Sequence, residues 1–140
     1  MVADYTPLLF SASSRHTGPW PVLEVTGEID LATAPRLQDH LIEAINAHQS
    51  ADLIVDMTKV EFCDASGLRV LVRAQRWIQR RGGRLRVICP EGRLLRILRI
   101  TTLTRLLSVH PTMEDALADE YAPCGTASYS RSPALRTGAG

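Results

Sequence analysis

Aromatic residues are scarce in this chain: two Trp, three Tyr and two Phe among 140 residues. Aliphatic side chains must therefore build most of the core, and the aromatic platforms on which single-stranded nucleic acid stacks have few residues to draw on. Lysine is scarcer still, with Lys59 alone beside fifteen arginines. It lies in Asp56-Met57-Thr58-Lys59-Val60, so no glycine loop ends in Gly-Lys-Ser/Thr and a nucleotide-hydrolysing P-loop is excluded. The Rossmann glycine fingerprint is missing as well. Cys63, Cys89 and Cys124 are odd in number and widely spaced, which fits neither a disulfide framework nor a zinc site and points to a reducing, cytoplasmic setting. His16, His40, His48 and His110 are scattered, without the paired spacing of a metal site. No metal and no cofactor is expected. No run of about 18 uncharged apolar residues exists, so no transmembrane helix and no membrane insertion is expected. The opening Met1-Val2-Ala3-Asp4-Tyr5 lacks the basic-then-apolar order of a secretory signal.

What the chain does have is 45% hydrophobic residues, enough for one globular domain with a real core. Its net charge of +1 hides a strong asymmetry. Residues 1–64 hold ten acids against Arg15, Arg36 and Lys59, a net of −7. Residues 65–110 hold eleven arginines against Glu91 alone, a net of +10. Such a basic half suits nucleic acid, a membrane surface or an acidic protein partner, and composition does not choose among them.

Period and punctuation give an alternating β/α order. The stretch Pro7 to Ser13, with its run Leu8-Leu9-Phe10, suits a first strand; Ser14 to Pro19 reads as a turn, and Trp20 to Gly27 alternates as a second strand. Thr33-Ala34-Pro35 opens a helix, Thr33 capping its amides and Pro35 needing no partner in a first turn. Leu37, Leu41, Ala44, Ile45 and His48 share one face of that helix. Asp52 to Met57 is a near-continuous apolar run, as in a strand covered on both faces. Thr58 to Asp64 reads as a turn before a second helix from about Ser66 to Arg80, its apolar stripe being Val70, Leu71, Ala74, Trp77 and Ile78. Gly82-Gly83 ends that helix. Arg84 to Cys89 makes a strand, Arg93 to Ile100 a short helix, Leu106 to Val109 a last strand, and Thr112 caps a closing helix with Asp115. The domain is expected over 1–120. The last twenty residues, dominated by Gly, Pro, Ser, Ala and Thr, are expected to form a disordered tail.

The segment Val60-Glu61-Phe62-Cys63-Asp64-Ala65-Ser66-Gly67-Leu68 joins the buried strand to the second helix. Two readings of it stand side by side. Ser66 or Asp64 caps the helix, and Gly67 relieves crowding in its first turn. Alternatively Ser66 is an exposed hydroxyl on a rigid support, where a phosphoryl group would meet the helix dipole and free amides. Arg69, Arg73, Arg76 and Arg80 follow at steps of three and four along one helical face, either as a solvated surface or as a dock for an acidic partner.

In this order and spacing the chain resembles the single-domain STAS family of bacterial anti-sigma factor antagonists. The resemblance covers about residues 7–120. It rests on Val25-Thr26-Gly27-Glu28-Ile29-Asp30 before the Thr33-Ala34-Pro35 helix, on Leu53-Ile54-Val55-Asp56-Met57, and on the Val60–Leu68 segment. It rests also on the ending Val109-His110-Pro111-Thr112-Met113-Glu114-Asp115-Ala116-Leu117. The resemblance implies an α/β fold: a mixed sheet of four or five strands with about four helices packed mainly on one side. It implies that Ser66, immediately before Gly67, accepts a phosphoryl group, and that Asp64 orients or caps beside it. Ala65 stands where the family often has serine, which leaves one acceptor.

Asp30, Asp64, Ala65, Ser66, Gly67, Arg69 and Arg73 are then the expected partner-binding residues. The implied partners are an anti-sigma factor with serine-kinase activity and a metal-dependent phosphatase of the PP2C type, and the domain itself is not an enzyme. Three rivals rank behind this reading. One is a constitutive STAS adaptor subunit of a lipid-transport or stress-signalling complex. Another is nucleic-acid binding through the basic half, which lacks a helix-turn-helix pattern. The third, an enzyme with Ser66 as nucleophile, lacks a visible base and oxyanion site.

Overall fold

Residues 9–47, 52–102 and 105–118 are described by the structure, a computed structural model. Five strands form one sheet in the order β1-β2-β3-β4-β5: β1 (Ser11–Thr17), β2 (Trp20–Ile29), β3 (Leu53–Cys63), β4 (Leu85–Ile88) and β5 (Ser108–His110). Strand β1 is antiparallel to β2, and every other neighbouring pair is parallel. The connections are α1 (Ala34–Ala47) between β2 and β3, α2 (Ala65–Arg80) between β3 and β4, and α3 (Arg93–Ile100) between β4 and β5; α4 (Met113–Ala118) closes the order.

Alternation along the strands assigns one face to the main core. Leu23, Val25 and Ile29 of β2, Leu53, Val55 and Met57 of β3, and Val87 and Val109 beyond them are all buried there. The apolar stripes of α1 (Leu37, Leu41, Ala44, Ile45), α2 (Leu71, Ala74, Ile78) and α3 (Leu95, Leu98) cover that face. On the other face Val22, Ile54 and Ile88 pack against Ala116 of α4. The expected mixed sheet, with helices mainly on one side, is what forms. Arg86 of β4 is wholly buried on the lesser face, its guanidinium 4.6 Å over the Trp20 ring and donating to the Ala116 carbonyl.

Four expectations from sequence need correction. The apolar run Leu8–Phe10 is not the first strand. Phe10 is buried against α1 beside His40, Leu9 is exposed, and Pro7 and Leu8 lie outside the described residues. The strand is instead the polar Ser11–Thr17, held by pairing with β2 from Ser11↔Thr26 to Thr17↔Trp20. The turn shrinks to Gly18-Pro19, with Gly18 at φ +59, a two-residue hairpin that glycine makes easy. Thr58 to Asp64 is not a turn either, because β3 runs on to Cys63. Its pairing with β2 slips between Glu24 and Thr26 and again between Gly27 and Glu28, with one extra residue in β3 each time. These bulges break the two-residue period, so exposed Thr58, Lys59, Glu61 and Phe62 read as loop. The last strand begins at Ser108, later than Leu106. His48 and residues 119–140, including the tail, lie outside the described residues.

Asp56 pins the first bulge. Its Oδ1 accepts from the Thr58 amide at 3.0 Å and from the Thr58 hydroxyl, while Oδ2 meets Arg15 Nη2 of β1 at 3.3 Å. Asp56→Ala leaves that half-buried amide without its acceptor and should cost about 1–3 kcal/mol in urea denaturation. Amide exchange should accelerate at Thr58 before it does at Val55.

Candidate functional site

The site forms where β3 hands the chain to α2. Asp64 has extended backbone (φ −93°, ψ −173°), the conformation of a residue that caps a helix from outside. Its amide donates to the Ile29 carbonyl at 3.0 Å, tying the end of β3 to the end of β2. Its Oδ1 accepts from the Ser66 amide at 2.9 Å, the Gly67 amide at 3.4 Å and the Ser66 hydroxyl at 2.5 Å. The Leu31 amide also favours the charge of this carboxylate. These donors hold the Asp64 pKa below the ordinary aspartate value, the Ser66 hydroxyl contributing most, although partial burial pushes the other way. Asp64 is therefore an anion at neutral pH.

The two readings of the segment thus separate by residue. Asp64 is the cap, and Ser66 is left half-buried with its hydroxyl proton turned toward Asp64. One expectation is corrected. The Ser66 and Gly67 amides are already bound by Asp64, so a phosphoryl group on Ser66 would not find them free.

Gly67 is fixed by space. A Cβ there would stand 2.5 Å from Ile29 Cγ2 and 2.6 Å from Cys63 Sγ. Only glycine lets the first turn of α2 lie this close to β2 and β3. Burial, helped by the neighbouring Asp64 charge, pushes the Cys63 thiol up to about 12. Cys63 packs here as a protonated, buried side chain.

The loop after β2 forms the opposite wall. Asp30 Oδ1 accepts from the amides of Ala32 and Thr33, both at 3.0 Å. Thr33, expected to cap α1, instead receives the Asp30 amide at 2.9 Å and donates to the Glu28 carbonyl. Asp30 does the capping because its side chain faces forward along the turn. Leu31, Pro35, Ser66, Arg69 and Arg73 line one groove of about 290 Å³ between α1 and α2. Asp30, Ala65 and Gly67 do not line it: the Asp30 carboxylate is held by its own loop, Gly67 is buried, and Ala65 is exposed beside Ser66 in the chain, while Arg73 lies two turns along α2. Sequence reasoning missed Leu31, which is 79% exposed. A large apolar residue between Asp30 and Ala32, where turns favour small or polar ones, was the available signal. Among the described residues no group of three or more His, Cys, Asp or Glu could hold a metal ion, and no helix is long and apolar enough to cross a membrane.

The STAS domain model matches residues 11–116. The chain belongs to the STAS family of anti-sigma factor antagonists. It is 32% identical over 92 residues to an anti-sigma-B factor antagonist of Bacillus subtilis, covering 66% of this chain and 83% of the relative. It is 28% identical over 108 residues to the anti-sigma-F factor antagonist RsfA of Mycobacterium tuberculosis, covering 76% and 84%. A crystal structure of an anti-sigma factor antagonist from Mycobacterium paratuberculosis superposes with a TM-score of 0.73 at 26% identity, covering 81% of this chain and 95% of that one.

Two outcomes test the geometry of this STAS domain. Gly67→Ala should lose about 1–3 kcal/mol in chemical denaturation, because the methyl must push apart Ile29 and Cys63. Its amide shift changes should extend to Ile29 and Asp30 as well as α2. The second outcome is acid titration. A carboxyl depressed in the fold stabilises it fully above the ordinary aspartate pKa of about 3.9 and loses that contribution as pH falls through the folded value. Ser66 and Gly67 amide shifts should titrate with a midpoint below that of an unstructured aspartate, and Asp64→Ala should flatten this part of the stability profile.

Proposed function

We propose that this STAS domain is a binding switch of the cytoplasm. With Ser66 unmodified it binds an anti-sigma factor that is also a serine kinase, and the sigma factor is released. Phosphorylation of Ser66 ends the interaction, and a PP2C-type phosphatase restores it. The observation that carries this reading is the hydrogen bond from the Ser66 hydroxyl to Asp64. It fixes one accessible oxygen at the mouth of a groove that exposed Leu31 flanks.

In the transfer, a bond forms between Ser66 Oγ and the γ-phosphorus of ATP as the bond to the ADP oxygen breaks. The hydroxyl proton leaves to a base. The product gains about −1.5 to −2 charges beside Asp64, which is already an anion. The Asp64 hydrogen bond from Ser66 is lost and repulsion takes its place. A dianion in a closing interface must also shed water. If these effects remove about 2–3 kcal/mol, affinity falls roughly 30- to 150-fold. The domain works without a metal or cofactor of its own, and the chemistry belongs to its partners.

Phosphosite mapping on protein isolated from its own cells, in growth and under stress, should find partial and condition-dependent occupancy at Ser66. Ser66→Ala should keep binding the anti-sigma factor, while Ser66→Asp and Ser66→Glu should bind at least an order of magnitude more weakly. Equal binding by all three variants would overturn the switch. Full coverage of the peptide with no phosphate in any condition would leave a constitutive STAS adaptor.

A further inference from the structure

Beside α2 lies a second groove, of about 410 Å³, between that helix and the residues Thr101 and Leu106. Its apolar lining is Leu68, Val72 and the exposed Leu106, and Arg69, Arg73, Arg76 and Thr101 complete it. Leu68 is buried and Val72 half-buried, whereas the three arginines stand out in solvent. None of the three has a carboxylate within ion-pair distance among the described residues; Arg73 reaches only the amide oxygen of Gln38, at 3.4 Å. Exposed Ala65 lies at one end of the groove, adjacent in the chain to Ser66. Arg69 and Arg73 also line the groove that contains Ser66, so the two depressions share a wall.

We infer that this second groove docks an acidic, amphipathic segment of a protein partner, seating one or two apolar side chains between guanidinium groups that pair with its carboxylates. The chemistry selects the occupant. Three exposed cations with no carboxylate partner among the described residues ask for anions, and planar guanidinium groups favour carboxylate or phosphate oxygens. The apolar lining, with Leu106 exposed, asks for an apolar side chain of matching character. A phosphodiester backbone brings charge without that side chain. A bilayer meets protruding apolar residues more readily than a groove lined with arginines. An acidic helix or turn carrying leucine-like residues supplies both. That this partner is the anti-sigma factor rests on the reading of Ser66 above; the groove's preference for an acidic amphipathic segment does not.

The probe is a fluorescein-labelled helical peptide of glutamates with leucines at one-face spacing, titrated into the full chain. The comparison ligands are its lysine counterpart, an all-glutamate peptide, short duplex DNA, and vesicles of phosphatidylglycerol and phosphatidylcholine. The glutamate–leucine peptide should bind saturably, weaken as salt rises, and shift the amides of Ala65, Leu68 and Val72. The double variant Arg73→Glu/Arg76→Glu should lose at least about tenfold in affinity. Arg93→Glu/Arg96→Glu, the same charge change on exposed α3 residues outside this groove, should lose less than about threefold. Leu106→Gln, at a partly exposed position, tests the apolar lining and should also weaken binding, with amide dispersion confirming the fold of every variant.

Equal binding of the all-glutamate peptide, equal losses from both double variants, or tighter binding of DNA or vesicles with no shift at Leu68 and Val72 would each overturn the assignment. Failure of Ser66 phosphorylation would leave the peptide result intact, so the two readings fail separately.

Discussion

One carboxylate holds the functional end of this domain together. Asp64 accepts hydrogen bonds from the amides of Ser66 and Gly67 and from the Ser66 hydroxyl, and the Leu31 amide helps to stabilise its charge. Its own amide meanwhile binds the carbonyl of Ile29. Helix start, strand end and neighbouring loop are thereby fixed to one residue. Gly67 is the steric complement of this arrangement. Were α2 held even slightly farther from Ile29 and Cys63, the Leu31 loop and the α2 cap could not share one side chain. The sheet contributes through the two bulges in β3, which carry the chain past Met57 and set Cys63 against the end of β2.

Charge is arranged around this point unevenly. The acids Asp30 and Asp64 are spent inside the site, each accepting amides at a helix start, where negative charge also complements the helix dipole. The cations begin immediately afterwards. Arg69, Arg73, Arg76 and Arg80 are exposed along α2, and Arg93, Arg96 and Arg99 along α3; of these seven only Arg99 forms an ion pair, with Glu91 at 3.1 Å, among the described residues. A surface of this kind repels itself slightly in the free domain. That repulsion favours association with an anionic partner, and a single dianion added at Ser66 alters it locally.

The elements most legible in the sequence were those whose packing follows a single period. Of the stripes, Leu37, Leu41, Ala44 and Ile45 of α1, Val70, Leu71, Ala74 and Ile78 of α2, and the apolar run of β3 are buried as their spacing requires, while Trp77 stays half-buried. The capping role of Asp64, with Gly67 behind it, was also visible, because Asp-x-Ser-Gly after a buried strand matches a short list of physical needs. Three features were hidden for identifiable reasons. Strand β1 is polar because it lies at the sheet edge, and only its partner β2 makes it a strand. The extension of β3 is masked by bulges that no local pattern announces. Leu31 and the second groove depend on which surfaces remain uncovered after α1, α2, Thr101 and Leu106 have packed, a property of the assembled layer and not of any one segment.

The same geometry decides how a phosphoryl group on Ser66 would be accommodated. It has two courses: displace Asp64 from the amides of α2, or turn away from Asp64. Displacement removes an aspartate cap, a loss of about 0.5–2 kcal/mol on its own, and also releases the Leu31 loop from the same carboxylate. Turning away keeps every backbone hydrogen bond and removes only the hydroxyl contact. The groove shared by Ser66, Arg69 and Arg73, which Asp39 also lines, offers two cations. On the proposed switch, the second course is the less costly one. On the switch reading, the modified domain keeps its fold and changes its surface, and the change falls on Arg69 and Arg73. These are the cations that the neighbouring groove presents to an acidic partner. On that reading a phosphate drawn to them would compete with that partner, linking modification to docking through two arginines with no movement of the sheet.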